Sequence, residues 1–171
     1  MSAYAIRRAT VGDAATIAHH RVAMFRDMGQ VPTDALATAL LEESTAALAA
    51  VLTDGAYAGW LAIAAGGRAV AGAGVDVKRQ LPRISLDGTR IVTGPLPLVV
   101  NVYTEPAWRG TGIARALMEE VMAWATAEGF DRLILHASEA GRPLYVSLGF
   151  VPSNEMRWAP NGARAPARTD D

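Results

Sequence analysis

The chain has 171 residues, is 51% apolar and 19% charged, and carries a net charge of −1. These values suit one folded domain with a substantial core, exclude a disordered chain, and offer no concentrated charge for nucleic acid or an anionic membrane. There is no cysteine, which excludes a disulfide framework, a thiolate metal site and a cysteine nucleophile.

The first predicted element is a short strand, Tyr4 to Arg8. Thr10 and Asp13 then resemble a capping box with Asp in the acidic place, and Ala14, Ile17, Ala18, Val22 and Phe25 follow at helical spacing up to Gly29. Pro32 and Thr33 open a second helix, which Asp54-Gly55 stops. The period then changes: Trp60 to Ala65 and Ala69 to Val77 read as strands joined by a Gly66-Gly67 turn. Residues 79–95 are punctuated by Pro82, Asp87-Gly88 and Gly94-Pro95, and read as a loop or a short extra hairpin. Leu96 to Thr104 is a strand whose near-continuous apolar character predicts burial on both faces.

Ile113, Leu117, Val121 and Ala125 recur every four residues and predict an amphipathic helix closed by Gly129. A buried strand, Leu133 to Leu135, a short helix, Glu139 to Leu148, and a final strand, Phe150 to Trp158, complete the order. Residues 159–171 have no apolar period and are expected to be a disordered tail behind a domain spanning 1–158. The order β-α-α-β-β-β-α-β-α-β predicts an α/β (α+β) fold. Its central sheet is mixed and mostly antiparallel, with helices on both faces. No basic segment followed by an apolar one opens the sequence, and the alanine-diluted apolar runs read as shorter than the ~20 residues of a bilayer span. A soluble, cytoplasmic protein with no membrane partner is expected.

The turn between the Leu96–Thr104 strand and the Ile113 helix carries Arg109-Gly110-Thr111-Gly112. Two glycines allow close backbone approach, and the free N–H groups of the helix start attract an anion such as a phosphate. A P-loop would need Gly-Lys-Ser/Thr here, where the chain has Ile113-Ala114-Arg115. A dinucleotide fingerprint would need glycine or alanine at 115 and an acid after the next strand, where the chain has Leu135-His136. A plain tight turn and an anion site both remain open on the turn alone.

The spacing Arg109-Gly-Thr-Gly-Ile-Ala114 fits Arg/Gln-x-x-Gly-x-Gly/Ala, and Leu144-Tyr145-Val-Ser-Leu-Gly-Phe150 fits Leu-Tyr-x-x-Leu-Gly-Phe. In that order the pair resembles the GNAT superfamily of acetyl-CoA-dependent N-acetyltransferases, and so does the element order from Tyr4 to about Trp158. The resemblance implies that residues Gly110, Thr111, Gly112, Ile113, Ala114 and Arg115, opened by Arg109, bind the pyrophosphate of acetyl-CoA. It implies that Val102, Tyr103 and Thr104 pair with the pantetheine arm, in a gap that a bulge opens toward the Leu133–Ala137 strand. Tyr145 is implied as the general acid that protonates the departing thiolate. Ser138 stands where many relatives have an asparagine that bonds the pantetheine.

An alkylammonium acceptor must lose a proton before it attacks. Some relatives place a glutamate in the strand before Ser138, where this chain has Leu133-Ile-Leu135, so no base is carried over. By location the base candidates are Glu105 and His136, with Asn101 or Tyr103 holding a water. Phe25, Met28 and Asn101 are the acceptor-side candidates, although the Met24, Phe25 and Met28 spacing fits ordinary core packing equally well. The three histidines stand at unrelated spacings, so no metal is expected. The implied activity is direct transfer of acetyl from acetyl-CoA to a primary amine, with a small molecule as the expected acceptor. A non-catalytic acyl-CoA-binding sensor is the alternative, and a homodimer is compatible with either.

Overall fold

The computed structural model describes residues 4–155. Strand β1, Tyr4–Arg8, leads through a single turn of tight helix, Val11–Asp13, into α1, Ala14–Asp27. The entry is held as the sequence predicts. The Thr10 amide donates to the Asp13 carboxylate at 2.8 Å, and the Arg7 guanidinium grips the same carboxylate at 2.8 and 2.9 Å. Helix α2, Asp34–Thr53, is capped by Thr33, whose hydroxyl accepts from the Leu36 amide at 3.2 Å. At 20 residues and a mean hydropathy of 1.5 it is long and apolar enough to cross a bilayer, which corrects the expectation that no run reaches that length. One side of this helix, at Leu41, Leu48 and Leu52, packs into the core beside α1.

The sheet has the order β1-β2-β3-β6-β7. Strands β2, Tyr57–Ala64, and β3, Ala69–Lys78, form the predicted hairpin. β2 begins three residues earlier than its local pattern suggests, because Tyr57, Ala58 and Gly59 pair with Asp76, Val75 and Gly74. Residues 79–95 contain the small hairpin β4, Arg83–Ile84, and β5, Ile91–Val92, in a separate two-stranded sheet. The hairpin is clamped to the main body by Asp131, which accepts from Arg83 at 2.5 Å and from Arg132 at 2.8 Å. Strand β6, Leu96–Thr104, lies antiparallel to β3, and β7, Ile134–Leu135, lies parallel to β6.

Helix α3, Ile113–Ala127, covers one face of the sheet. Its stripe of Ile113, Leu117, Met118 and Val121 is buried against Trp60, Ala62, Val70 and Val99. The other face carries α1 and α2, with Ile17, Ala18 and Leu48 buried against Tyr57 and Leu61. Helices therefore cover both faces, as the element order predicts.

Helix α4, Arg142–Ser147, is shorter than the predicted Glu139–Leu148. A turn at Ser138 takes the Gly141 and Arg142 amides at 3.1 and 3.0 Å, and the helix starts only after it. The predicted final strand is corrected over its described part: residues 150–155 form no strand. Pro152 has no amide to donate, and the segment is mostly exposed. Residues 156–158 of that strand and the predicted disordered tail, 159–171, lie outside the described residues.

Candidate active site

Strand β6 is regular up to Val100 and then changes. Gly74 pairs with Val100 while Gly72 pairs with Tyr103, so Ala73 faces both Asn101 and Val102. This is a β-bulge, and Asn101 within it has φ of 55°, a left-handed conformation unusual for any residue but glycine. On the other edge of β6, pairing with β7 ends at Val99 and Leu135. β7 itself ends at Leu135, so the β6 backbone from Val100 to Thr104 has no paired strand on that side among the described residues, which leaves a gap in the sheet's hydrogen bonding.

The gap leads to the N-terminus of α3. Gly110 and Gly112 have φ of 75° and 85°, and a side chain added at either would meet nothing within 4 Å. Their role is thus conformational, and the space beside them is open. The first helical bond of α3 is from the Ala116 amide to the Gly112 carbonyl, at 3.1 Å. The amides ahead of it point out of the helix without an intrahelical acceptor. The loop is braced from within: Thr111 Oγ1 donates to the Trp108 carbonyl at 2.6 Å, and Arg109 Nε donates to the Thr104 carbonyl at 3.0 Å. Arg109 also pairs with Asp27 and lies 5.8 Å from the Tyr103 ring, which ties the loop to the end of α1. Arg115 donates to Ser147 Oγ at 2.7 Å and so links the start of α3 to α4.

Tyr145 lies on α4 and packs against the α3 face of the core, with the Phe150 ring edge-on at 5.9 Å. Burial pushes its phenol above the ordinary value, so it remains protonated at neutral pH. Gly141 makes room for it, since a Cβ there would stand 3.0 Å from Tyr145 Cε2. Ser138 Oγ is engaged by the Gly141 amide at 3.2 Å. The two base candidates both have partners: Glu105 pairs with Arg68, and His136 Nε2 contacts the Glu155 carboxylate. Met28 ends α1 and is exposed, whereas Phe25 lies under the Arg21 guanidinium, whose Cζ is 4.7 Å from the ring centroid.

Asn101 organises the α1 side of the bulge. Its Oδ1 accepts from Arg21 at 2.6 Å, and its Nδ2 donates to the Tyr57 hydroxyl at 3.2 Å. Tyr57 is deeply buried, and its pKa is pushed up to about 12 by burial. His20, Tyr57, Trp60, Gly72, Ala73 and Asn101 line a shallow depression beside this cluster that is too tight to hold a water. Burial lowers the pKa of His20, so its imidazole is neutral at pH 7, and among the described residues its Nδ1 has no partner.

Arg21, Tyr57 and His20 were not among the predicted site residues. Arg21 had a usable signal: it is a cation in the apolar stripe formed by Ile17, Ala18 and Phe25. His20 and Tyr57 had none, because nothing local distinguishes His20 from His19 or places Tyr57 in a strand.

The chain matches the model of the Acetyltransferase (GNAT) family over residues 21–150. It is 34% identical over 132 residues to an aminoglycoside N(6')-acetyltransferase type 1 of Stenotrophomonas maltophilia, covering 77% of this chain and 74% of that protein. The crystal structure of a GCN5-related N-acetyltransferase from Ralstonia eutropha superposes with a TM-score of 0.80 at 32% identity, over 93% of this chain and 99% of that one. A predicted acetyltransferase from Clostridium acetobutylicum, solved with acetyl-CoA, shares the fold with a TM-score of 0.77 at 24% identity, over 91% and 95% of the two chains. The bulged strand with its unpaired edge, the glycine turn before α3 and the family match over most of the chain lead to one conclusion: this chain belongs to the GNAT family and is an N-acetyltransferase.

Proposed function

We propose that the chain transfers acetyl from acetyl-CoA to a primary amine of a small molecule, by direct attack within a ternary complex. The observation that carries this reading is the end of β6–β7 pairing at Val99 and Leu135, beside the bulge at Asn101. It leaves those backbone groups of Val102, Tyr103 and Thr104 that face away from β3, apart from the Thr104 carbonyl held by Arg109, available to pair with an extended ligand such as the pantetheine arm. At the end of that edge, the outward amides of residues 112–115 form an anion site for the pyrophosphate. The glycines fit this role, since the space that side chains would occupy at Gly110 and Gly112 is open. The names of the relatives support an amine of small-molecule size as acceptor.

In the reaction, the neutral amine attacks the thioester carbonyl. The C–N bond forms, the C–S bond breaks, and no covalent enzyme intermediate is required. Backbone amides at the bulge polarise the carbonyl. Tyr145 gives its phenolic proton to the departing thiolate, for which its raised pKa keeps the proton available. The acceptor's first ammonium proton leaves through Glu105 or a neutral His136, each of which must first exchange its present contact for the amine or a bridging water, and the second, shed by the nitrogen as the amide forms, restores Tyr145. Glu105→Gln and His136→Gln separate them: only loss of the true base removes turnover while coenzyme affinity stays intact.

Calorimetric titration with acetyl-CoA, with NAD and ATP as controls, tests the reading directly. Micromolar binding of acetyl-CoA alone, followed by amine-dependent thiol release, is expected. Binding of ATP or NAD in its place, or of none of the three, overturns it.

A further inference from the structure

The reading above leaves the acceptor as an unspecified amine, and the α1 side of the bulge narrows it. Val100 packs with the α1 and α2 cluster, Asn101 bonds Arg21 and Tyr57, and the Tyr103 ring lies 5.3 Å from His20. These side chains point away from α3 and toward α1. The opposite face is filled by Ile113, Leu117 and Met118. An acceptor therefore reaches the bulge from the α1 side.

The acids around the bulge and the end of α1 are already paired. Asp27 pairs with Arg109, Asp34 with Arg26, Glu105 with Arg68, and Asp76 with Lys78. Arg21 has no carboxylate partner among the described residues. Its single hydrogen bond goes to the neutral Asn101 amide oxygen at 2.6 Å, and its planar face rests on Phe25 at 4.7 Å. A guanidinium has five N–H donors, so four remain without a partner among the described residues. Half-buried, the group loses solvation that no anion restores, and its pKa is lowered accordingly. Asn101 and Phe25 fix the plane of the fork, which removes much of the entropy of binding a second planar group.

We propose that Arg21 is the recognition residue for a carboxylate on the acceptor, so that the substrate is an aminocarboxylate rather than a polycation. This inference rests on the acetyl-transfer reading above. A carboxylate suits the planar fork bidentately, and it supplies the anion that Arg21 lacks among the described residues. A polycationic acceptor would instead place like charge against Arg21.

The test is thiol release from acetyl-CoA across the free amino acids and short ω-amino acids, each beside its own carboxamide, with a polyamine and an aminoglycoside included. Acetyl-CoA binding is measured first by calorimetry. At least one carboxylate is expected to be used with kcat/KM ten or more times that of its amide. Arg21→Gln should abolish that preference, and Arg21→Lys should retain part of it. Failure to bind acetyl-CoA would remove both this proposal and the reading beneath it. With acetyl-CoA binding intact, three results each overturn the carboxylate assignment alone: use of amides or polycations as readily as carboxylates, no carboxylate turned over, or an undiminished preference in Arg21→Gln. The wild-type comparison of acid with amide decides the matter even if the variants fold poorly.

Discussion

The two edges of β6 have opposite fates. Toward β3 it makes an antiparallel ladder that runs from Leu96 to Thr104 and accommodates the bulge without ending. Toward β7 it keeps two pairings and stops. The same nine-residue strand is thus a structural wall on one side and an open edge on the other. Unpaired backbone groups in a protein interior are costly, so such an edge persists where a ligand completes it. The wall is built by close contact: Gly74 exists without a side chain because a Cβ there would stand 1.8 Å from the Tyr57 hydroxyl. The open side uses glycine for the opposite reason, since Gly110 and Gly112 have empty space around them and need only their left-handed backbone.

Substitutions break this comparison in graded ways. The largest loss of stability is expected on removing the clamp behind the open edge. The Asp131 side chain is 3% exposed and binds Arg83 and Arg132. Asp131→Ala leaves two partly buried guanidinium groups without their anion and should cost about 3–5 kcal/mol, measured by urea denaturation. A loss below about 1 kcal/mol would mean that the hairpin β4–β5 carries little of the fold. On the wall, Gly74→Ala must displace a buried ring and its bond to Asn101, at about 3 kcal/mol. Gly110→Ala, by contrast, meets only backbone strain of about 1 kcal/mol. If the two glycine variants lose equal stability, the distinction between wall and edge is wrong.

On the open side the effects should fall on function. Tyr145→Phe keeps the ring against Phe150 and removes the proton donor. It should lower kcat about 100-fold, the lower range for a general acid, with acetyl-CoA affinity unchanged by calorimetry. An unchanged kcat would leave Tyr145 as packing alone. Gly112→Asp sets a negative charge and a strained φ at the start of α3 and should weaken acetyl-CoA binding at least tenfold, about 1.4 kcal/mol, in a chain whose circular dichroism is unaltered.

The smallest effect sharpens the comparison through pH. Bonds from Arg7 hold the Asp13 carboxyl well below the carboxylate range. Burial pushes the Asp131 carboxyl up, but the bonds from Arg83 and Arg132 outweigh it and leave it lowered. A depressed folded-state pKa contributes stability above the unfolded value near ~4 and loses it as pH falls through the folded value. The Tm should hold between pH 7 and 5 and drop by several degrees toward pH 3. Asp13→Asn should flatten part of that drop. A Tm that rises on acidification would contradict the sign.

Legibility followed the range of the interaction. The strand at Tyr4, the caps at Thr10 and Thr33, the glycine stops and the α3 stripe are set by neighbours within a few residues, and they appear where the sequence places them. The expected last strand does not form over residues 150–155, because pairing needs an edge and a donor that Pro152 does not supply. The Glu139 helix start was misread because the Ser138 turn captures the first amides. The start of β2 was hidden because Tyr57 joins the strand only through partners on β3.

By itself the sequence determined the element order, the glycine turn opening α3, and the two motifs that mark the acetyltransferase family, since each is a pattern of adjacent residues with its own backbone chemistry. Only the tertiary structure decided what surrounds the bulge at Asn101. Asn101 meets Arg21 across 80 residues of chain and Tyr57 across 44. No local periodicity reports such pairs. A half-buried cation facing a bulge can be proposed as a binding group only after helix and sheet have packed and the neighbouring acids have found other partners.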